Sequence, residues 1–433
     1  MKTYAAVIEY LFARLPMFTR DGASAFNPDV DKTLLLCEAL GNPHKKFKSI
    51  HIAGTNGKGS SSHMLASVLA NSGYKTGLYT SPHLVDFRER IRIDGNMVPE
   101  QHVVEFVNTH RELIEDLKPS FFEVTVAMAF DYFAQQKVDI AVIEVGLGGR
   151  LDSTNIISPE LCLITNIGMD HMNILGNTLV EIAGEKAGII KQNTPVVISE
   201  KQTEIQDVFE DKAKSLNAEL MYATDRYAML SSERLAEGLK ITVESKANHI
   251  KDTWLCDLTG SYQTKNILGV LTCIDELGKL GFQLPKEKVQ YAISHVQELT
   301  GLRGRWQTLL TNPWVICDTG HNEDGIKEVL KNLASLQYHQ LHFIFGAMRD
   351  KDLSHILPLL PKDAQYYFAA PDMPRAMPAD QLTELAISHG LKGTYYSSIE
   401  AAFDAAQDLY KDGDLIFVGG STFVVAEMLT NRF

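Results

Sequence analysis

The sequence predicts an α/β protein of two domains, each built on a mainly parallel sheet. Short apolar runs alternate with amphipathic stretches along most of the 433 residues, which indicates parallel strands separated by helices. From about residue 218 to 260 the runs become shorter and alternate in polarity, and this change predicts a small antiparallel part. The first alternation starts again after residue 300. We therefore expect an N-terminal domain over residues 1–300 and a smaller C-terminal α/β domain over residues 301–433.

Composition and charge narrow the classes of partner. The net charge of −13 argues against broad nucleic-acid binding, which requires a basic surface. Five scattered cysteines without a C-x-x-C pair argue against a disulfide framework or a zinc site and fit a reducing compartment. Glu9 and Arg14 interrupt the apolar N-terminal stretch, which therefore predicts an amphipathic helix and not a signal peptide. No apolar run is long enough to cross a membrane, and we expect a cytoplasmic protein.

The stretch HIAGTNGKGSSSHMLASVLANSG, residues 51–73, is typical of a strand, a glycine-rich turn and a helix. Upstream of the turn, residues 48–53 (KSIHIA) form a short, partly β-branched run. Downstream, apolar side chains recur at helical spacing until Gly73, which predicts a left-handed stop. These apolar positions are Met64, Leu65, Val68 and Leu69, whereas Ser60, Ser61, Ser62 and Asn71 fall elsewhere. Such a turn directs backbone N–H groups and the positive end of the helix dipole to one point.

Two side chains of the turn favour phosphate binding over a merely flexible bend. Lys58 supplies a mobile ammonium for the outer phosphates, and Ser60 supplies a hydroxyl for a phosphate or its magnesium ion. The spacing departs from the commonest P-loop, G-x-x-x-x-G-K-[ST], because Gly59 separates Lys58 from Ser60. We interpret the turn as a nucleotide-binding site.

Further strand-like runs follow in both domains. In the first domain they cover residues 75–80, 138–146, 161–168 and 194–199. In the second they cover residues 314–320, 341–348, 364–370, 393–398 and 414–420. Ligands of open parallel sheets bind beyond the carboxyl ends of the strands, so polar side chains at these ends are candidates for chemistry.

Glu144 lies near the end of an apolar run, residues 138–146. An unpaired carboxylate buried there is costly, so it needs a cation or strong hydrogen-bond donors. An ion pair with a lysine or an arginine is one interpretation. The glycine-rich GLGGR that follows lets the backbone approach a ligand and favours a second interpretation, a magnesium carboxylate.

Two other strand ends carry polar groups that we expect near Glu144. Ser81 follows residues 75–80, and Asp170 with His171 follows residues 161–168. Ser-Pro often only begins a turn, and a lone histidine is more often a surface or satisfied core residue. Their arrival at the same sheet edge as a phosphate turn nevertheless predicts a metal site of Ser81, Glu144 and His171. Since magnesium prefers oxygen ligands, His171 is its least conventional member.

Lys186 falls on the apolar face of a predicted helix. Thr178 and Glu181 form a capping-box signature at the start of this helix. The apolar stripe consists of Leu179, Ile182, Ala183, Lys186 and Ile190. A lysine in this position can extend outward to solvent, pair with a carboxylate, or be carbamylated by carbon dioxide to an anion that supports magnesium.

Eight motifs in the chain resemble the folylpolyglutamate synthase family, which includes bacterial bifunctional dihydrofolate synthases and belongs to the Mur-ligase-like group. They are GTNGKGS, TSPHL, FFEVT, EVGLGGRLDSTN, TNIGMDH, GEKAGIIK, GRWQ and FGAMRDKD, in family order. The resemblance implies an N-terminal P-loop ATPase domain and a C-terminal Rossmann-like domain. It also implies a reaction in which MgATP phosphorylates a pteroate or folate carboxylate. The amine of L-glutamate then attacks the acyl phosphate, giving an amide, ADP and phosphate.

The resemblance further implies a role for individual residues. The P-loop contacts to ATP are Thr55, Asn56, Gly57, Lys58, Gly59 and Ser60, and the residues that hold ATP from the far side are Asn266, Arg305 and Asp318. The ligands of magnesium, expected as two ions, are Ser81, Glu144 and His171. The pterin site consists of Ser120, Phe121, Phe122, Glu123 and Leu151. The catalytic residues are Lys58, His171 and Lys186, the last as a carbamylated lysine.

The chain departs from the family pattern in two loops. Arg303 stands where the family has the proline of Pro-Gly-Arg. Thr319 and Gly320 stand where the family has Gly-Ala between an aspartate and His-Asn. The charged and amide positions of both loops are kept, so the differences concern loop shape more than chemistry.

Two other classes of P-loop protein are alternatives. A cell-wall Mur ligase carries an extra N-terminal domain for its UDP-sugar peptide, and we expect the 53 residues before Gly54 to be too few for it. A regulatory GTPase that binds partners needs an N-K-x-D guanine motif, which the sequence lacks. Neither class explains Lys186 or the second α/β domain. We expect an enzyme with small-molecule substrates and no nucleic-acid or membrane partner, acting as a monomer.

Overall fold

The computed structural model describes residues 1–22, 27, 29–349 and 351–433, with only the backbone of Thr19. Its chain divides into two compact units. Unit 1 comprises Met1–Asp257 and Gln263–Leu302, and unit 2 comprises Leu258–Tyr262 and Arg303–Phe433. Asp350 of the FGAMRDKD motif lies outside the described residues.

An eight-stranded sheet forms the centre of unit 1. Its strands are β1 (Lys48–Ala53), β2 (Thr76–Tyr79), β3 (Ile91–Ile93), β4 (Asn96–Met97), β5 (Ile140–Glu144), β6 (Leu161–Ile164), β7 (Val196–Ile198) and β8 (Leu220–Tyr222). Their order across the sheet is β4-β3-β2-β5-β1-β6-β7-β8. The pairing is parallel except between β2, β3 and β4. The predicted mainly parallel sheet is confirmed, and β1 lies between β5 and β6.

Helices cover this sheet and connect its strands. They are α1 (Tyr4–Arg14), α2 (Phe18–Asp21), α3 (Asp31–Ala39), α4 (Lys58–Asn71), α5 (Glu100–Thr109), α6 (Arg111–Leu117), α7 (Phe121–Gln135), α8 (Met172–Leu175), α9 (Leu179–Ala187), α10 (Gln206–Ser215), α11 (Ala223–Arg226), α12 (Gln263–Lys279), α13 (Lys286–Ile293) and α14 (Val296–Thr300). All five residues of β5 are buried, as expected for a strand covered on both faces. None of the helices in the described ranges is both long and apolar enough to span a bilayer.

The helix after the phosphate turn, α4, is buried on nearly every side. It packs on β1, β2 and β5 and against α12, α13 and α14. Ser60, Ser61 and Ser62 lie off the apolar stripe of the sequence, yet the structure buries all three. The reason is that helices from much later in the chain cover the face that the serines occupy.

A separate three-stranded antiparallel sheet completes unit 1. It consists of β9 (Tyr227–Leu235), β10 (Gly238–Ser245) and β11 (Lys251–Cys256). The predicted antiparallel part is thus confirmed, but it starts at Tyr227 and not at residue 218. The difference arises because β8 still pairs in parallel with β7 and extends the main sheet.

Unit 2 is an open, mostly parallel sheet of six strands with interspersed helices. Its strands are β12 (Gln307–Thr311), β13 (Trp314–Cys317), β14 (Leu341–Phe345), β15 (Gln365–Phe368), β16 (Lys392–Tyr395) and β17 (Leu415–Gly419), in the order β12-β13-β17-β14-β15-β16. Its helices are α15 (Glu323–Ala334), α16 (Ala379–Ser388), α17 (Ile399–Leu409) and α18 (Thr422–Arg432). Of these six strands, as far as the structure describes them, β12 alone is antiparallel to its neighbour, β13. The predicted Rossmann-like α/β fold is confirmed.

Candidate active site

The phosphate turn, residues 54–57, connects β1 to α4, and its shape requires glycine at both ends. Gly54 has a φ of +146° and Gly57 a φ of +88°. A Cβ at Gly54 would lie 1.8 Å from Thr165 Oγ1, and one at Gly57 would lie 2.2 Å from Asn266 Oδ1. Because the backbone passes so close to its neighbours, a side chain at either position would displace the turn.

The loop after β6 braces the turn. Thr55 N donates to Asn166 O at 2.9 Å, and Asn56 N donates to Asn166 Oδ1 at 2.9 Å. Thr165 Oγ1 donates to Asn56 O at 2.6 Å. Helix α4 has no side-chain cap among the described residues, so its first-turn N–H groups remain for a ligand. Thr55 and Asn56 therefore shape the turn, and the backbone at the start of α4 offers the donors.

Asn266 of α12 lies beside the N-terminus of α4. Its Nδ2 donates to Gln263 Oε1 at 2.7 Å, and Gln263 Nε2 donates to Ser60 Oγ at 3.1 Å. Asn266, Gln263 and Ser60 are all buried. The structure thus brings Asn266, one of the residues implied to hold ATP, together with Gly57 and Ser60.

Two lysines share the carbonyl of Gly54. Lys58 Nζ donates to Gly54 O at 3.0 Å and to Thr55 O at 3.2 Å. Lys186 Nζ donates to Gly54 O at 3.0 Å from α9. Lys186 is only 4% exposed, so it does not extend outward to solvent. Burial, reinforced by the positive charge of Lys58, lowers the pKa of Lys186 to about 7.

Asp152, which the sequence analysis does not single out, is a buried acid near Lys186. Its Oδ2 accepts from Leu147 N at 2.8 Å, and its Oδ1 accepts from Thr154 N at 2.9 Å and Thr154 Oγ1 at 2.5 Å. These bonds close the glycine-rich loop after β5. The charges of Asp152 and Asp170 both oppose the lowering of the Lys186 pKa. The sequence did contain a signal that could have identified Asp152, because it is an acid next to a glycine-rich run, as Glu144 is.

Glu144 and Ser81 meet at the carboxyl ends of β5 and β2. Ser81 N donates to Glu144 Oε2 at 3.2 Å, and the Glu144 side chain is buried. Ile52 of β1 pairs with Glu144 in the parallel register, so this carboxylate lies at the level where β1 enters the phosphate turn. The predicted convergence of Ser81 and Glu144 at one sheet edge is observed.

His171 reaches the same edge from β6, on the other side of β1. It precedes α8 with a φ of +50°, and its Nε2 lies 3.8 Å from Asp170 Oδ1. Its ring meets the ring of Phe18 edge-on at 5.4 Å. In the part of the chain that the structure describes, no three His, Cys, Asp or Glu side chains cluster to hold a metal. The predicted site differs from such a cluster because one of its three ligands is a serine, Ser81. Magnesium binding there stays a prediction.

The residues implied to bind the pterin have structural roles at the start of α7. Ser120 Oγ accepts from Glu123 N at 3.2 Å, and Glu123 Oε2 accepts from Ser120 N at 2.6 Å, which completes a capping box. Phe121 is buried against neighbouring rings. Phe122 is half-buried and packs on Gly146, whose Cβ would lie 2.4 Å from its ring. Leu151 is also half-buried, so Phe122 and Leu151 are the apolar members with exposed surface.

Arg305 and Asp318 lie together in unit 2. Asp318 is buried and accepts from Tyr262 Oη at 2.6 Å, Trp306 N at 2.8 Å and Gly320 N at 2.7 Å. Burial raises its pKa despite these bonds. Arg305 Nη1 donates to Thr319 Oγ1.

Thr319, one of the two departures from the family pattern, thus holds the guanidinium of Arg305. The bond from Tyr262 to Asp318 joins the two segments of unit 2, Leu258–Tyr262 and Arg303–Phe433. Asn322 caps α15, since its Oδ1 accepts from Gly325 N at 2.8 Å. The altered loop therefore keeps an ordered arrangement around Arg305 and Asp318.

Comparison with known proteins places both units in one family. Residues 52–274 match the Mur ligase middle domain, and residues 304–422 match the Mur ligase, glutamate ligase domain. Dihydrofolate synthase/folylpolyglutamate synthase of Bacillus subtilis is 34% identical over 369 residues, covering 82% of this chain and 84% of that protein. The protein of the same name from Escherichia coli is 30% identical over 388 residues, covering 87% and 85%.

Solved structures agree with this assignment. The structure of E. coli FolC in complex with DHPP and ADP has a TM-score of 0.85 at 26% identity and covers 99% of this chain and 97% of that one. Mycobacterium tuberculosis folylpolyglutamate synthase complexed with ADP has a TM-score of 0.87 at 27% identity and covers 99% and 98%. The chain therefore belongs to the dihydrofolate synthase/folylpolyglutamate synthase family of the Mur ligase superfamily, and the members of this family are ligases.

Proposed function

We propose that this enzyme joins L-glutamate to the carboxylate of dihydropteroate or a folate through an acyl phosphate, releasing ADP and phosphate. The observation that carries the proposal is the meeting of a phosphate turn with Glu144, a buried acid held by Ser81 N at 3.2 Å. This arrangement suits a polyphosphate and its cation beside a reacting carboxylate. The relative solved with DHPP and ADP supports the choice of substrates.

The proposed reaction has two steps, a phosphoryl transfer from ATP and an acyl transfer to glutamate. An oxygen of the acceptor carboxylate attacks the terminal phosphorus of ATP, and the bond to ADP breaks. The amine of glutamate then attacks the carbonyl carbon, phosphate leaves with the bonding electrons, and the amine loses a proton. The N–H groups at the start of α4 and the ammonium of Lys58 bind the phosphates and stabilise the charge that develops there.

The side chains at the sheet edge fit magnesium. Glu144 offers a buried carboxylate, Ser81 a hydroxyl and His171 an imidazole. We propose that these three residues hold magnesium, with two ions serving the site. Magnesium, when bound, neutralises negative charge on the phosphates.

Lys186 fits carbamylation. The reaction needs a neutral amine, and the lowered pKa of about 7 makes that form abundant near neutral pH. The amine nitrogen attacks carbon dioxide, an N–C bond forms, and one proton is released. The product is an anion, which suits a buried position beside Lys58 better than a second ammonium does.

Further binding roles complete the proposal. Asn266, Arg305 and Asp318 contribute to ATP binding, and Phe122 with Leu151 forms the apolar surface for the pterin ring. We assign the P-loop of the ATP site to a domain over residues 1–300, and the ligase role to a domain over residues 301–433, which also contains Arg305 and Asp318. The enzyme acts as a monomer in the cytoplasm, in keeping with its five buried free thiols.

Release of ADP tests the proposed function. Purified enzyme receives ATP, magnesium and L-glutamate, first with dihydropteroate and then with tetrahydrofolate. We expect ADP release that depends on glutamate with at least one of the two acceptors. ADP release that does not depend on either acceptor, or no ADP release at all, would refute the proposal.

A further inference from the structure

The loop between β2 and β3, residues 80–90, is fixed by bonds of its own. Thr80 N donates to Arg90 O at 3.1 Å and joins the two ends of the loop. The carboxylate of Glu89 accepts from the backbone N–H groups of residues 84–86 at 2.8, 3.1 and 3.0 Å. A side chain within this loop therefore has a defined position.

The loop holds a histidine in one tautomer. Arg90 Nε donates to His83 Nδ1 at 2.7 Å. A guanidinium keeps its protons in proteins and has no acceptor, so Nδ1 must carry the lone pair. The neutral imidazole then has its hydrogen on Nε2. Arg90 thus makes His83 a hydrogen-bond donor at its other ring nitrogen.

Aromatic rings fix both partners of this bond. The ring of His83 stacks on Phe12 at 6.2 Å with an interplanar angle of 7°, and Phe87 lies across it at 6.3 Å and 71°. Arg90 is buried, and its Cζ lies 5.3 Å from the centre of the Phe121 ring. The imidazole therefore has a fixed place as well as a fixed tautomer.

His83 is half-buried, and its Nε2 donor is not sealed from solvent. Within the described ranges, Nε2 of His83 has no hydrogen-bond partner. His83 follows Ser81 by two residues, and Ser81 N donates to Glu144. An oriented N–H donor without a partner in the described part of the chain thus lies on the loop that also supplies a proposed magnesium ligand.

We propose that His83 binds the acceptor substrate, with Nε2–H donating to an oxygen of the carboxylate that the enzyme activates. Arg90 is then a positioning residue that acts through His83. This inference rests on the proposed function. A donor polarised by a guanidinium favours an anionic oxygen over a neutral one, and the reacting carboxylate has to approach the phosphates beside Ser81 and Glu144.

Two substitutions separate the two nitrogens of the ring. In His83→Asn the amide reaches about as far as Nδ1, so it can still accept from Arg90, but nothing replaces Nε2–H. In His83→Gln the amide nitrogen reaches about as far as Nε2 and keeps a donor there. We expect His83→Asn to raise the KM for the acceptor by about ten- to a hundredfold, the range for a lost bond to a charged group. The KM for ATP should not change, and His83→Gln should retain most of the acceptor affinity.

The control variant is His249→Asn. His249 is exposed between β10 and β11 with a φ of +58°, a conformation that asparagine tolerates. The His249→Asn variant should have unchanged KM values for the acceptor and for ATP. An unchanged acceptor KM in His83→Asn, or a parallel rise in the KM for ATP, would overturn the proposal for His83. Wild-type enzyme that releases no ADP with either acceptor would instead refute the proposed function, and the role of His83 with it.

The tautomer itself has an independent readout. Nitrogen NMR of the folded wild-type enzyme reports the protonation of each histidine ring. The signals of His83 are those that are missing from the spectrum of His83→Gln. They should show Nδ1 unprotonated and Nε2 protonated. A proton on Nδ1 would contradict the bond from Arg90 and overturn the proposal, whatever the KM values of the variants.

Discussion

Lys186 Nζ lies 3.0 Å from the carbonyl oxygen of Gly54, where the chain leaves β1 for the phosphate turn. Lys58 Nζ donates to the same oxygen, also at 3.0 Å. Two ammonium groups this close repel each other, and burial adds to the cost of charging Lys186. The pKa of Lys186 therefore falls to about 7. The contact links α9 to the phosphate turn, and the lowered pKa supplies a neutral amine where an anion is proposed to form.

The first prediction concerns the chemical identity of Lys186. Lys186→Ala should lower turnover by about a hundredfold or more, because a charge at the reacting centre is lost. A short carboxylic acid added to this variant should partly restore turnover by replacing the carbamate. Lys186→Arg should stay inactive since its charge has the wrong sign. Steady-state ADP release measures all three, and an active arginine variant would remove the carbamate from the mechanism.

The second prediction concerns stability and pH in buffer free of carbon dioxide. The folded pKa of Lys186, about 7, lies below its ordinary value of 10.5, so between these values the unfolded chain binds more protons. Stability should therefore rise with pH across this window, relative to Lys186→Met, and the difference should be constant below about pH 7. Denaturant unfolding of both proteins at several pH values measures the effect. A difference independent of pH from 7 to 10 would show that Lys186 titrates normally.

The third prediction compares the two glycines that flank α4. Gly57→Ala places a Cβ 2.2 Å from Asn266 Oδ1, whereas at Gly73, with a φ of +103°, a Cβ meets nothing within 4 Å. Both variants should lose about 1 kcal/mol of stability through backbone strain. Only Gly57→Ala should also lose ATP affinity, because the turn must shift away from Asn266. Calorimetric titration with ATP and thermal unfolding separate the two effects, and equal ATP affinity in both variants would contradict the site.

The fourth prediction concerns unit 2. Arg305→Ala should weaken ATP binding, because Arg305 and Asp318 are proposed to contribute to the nucleotide site. Arg303→Ala removes the same charge two residues earlier, at a position with no proposed contact to ATP, and should bind ATP normally. ATP titration of both variants is the measurement. Normal affinity in Arg305→Ala would confine ATP binding to unit 1.

The sequence predicted most of what local patterns determine. Runs of apolar residues located β1, β5 and β6, and the rule for parallel strand ends brought Ser81 and Glu144 to one edge, as the bond from Ser81 N to Glu144 shows. The capping box at Thr178 placed the start of α9. In these cases the signal lies within a few neighbouring residues, so it can be read without the tertiary structure.

Contacts that depend on how loops and distant segments fold account for what was missed. Asp152 closes its loop through bonds to backbone groups, and nothing in its spacing shows that Lys186 lies near. The bond from Tyr262 to Asp318 joins residues 258–262 to the rest of unit 2 across 56 residues of sequence. The Arg90–His83 bond likewise depends on how one loop folds back. Such pairs follow from packing and have no periodic signature.

Transfer of labelled oxygen tests the acyl phosphate most directly. Dihydropteroate carrying an oxygen isotope in its carboxylate is converted with ATP, magnesium and L-glutamate, and the released phosphate is analysed by mass spectrometry. If the carboxylate oxygen attacks the terminal phosphorus, one labelled oxygen must appear in phosphate for each amide formed. Amide formation with unlabelled phosphate would contradict the mechanism and require another route to the activated carboxylate.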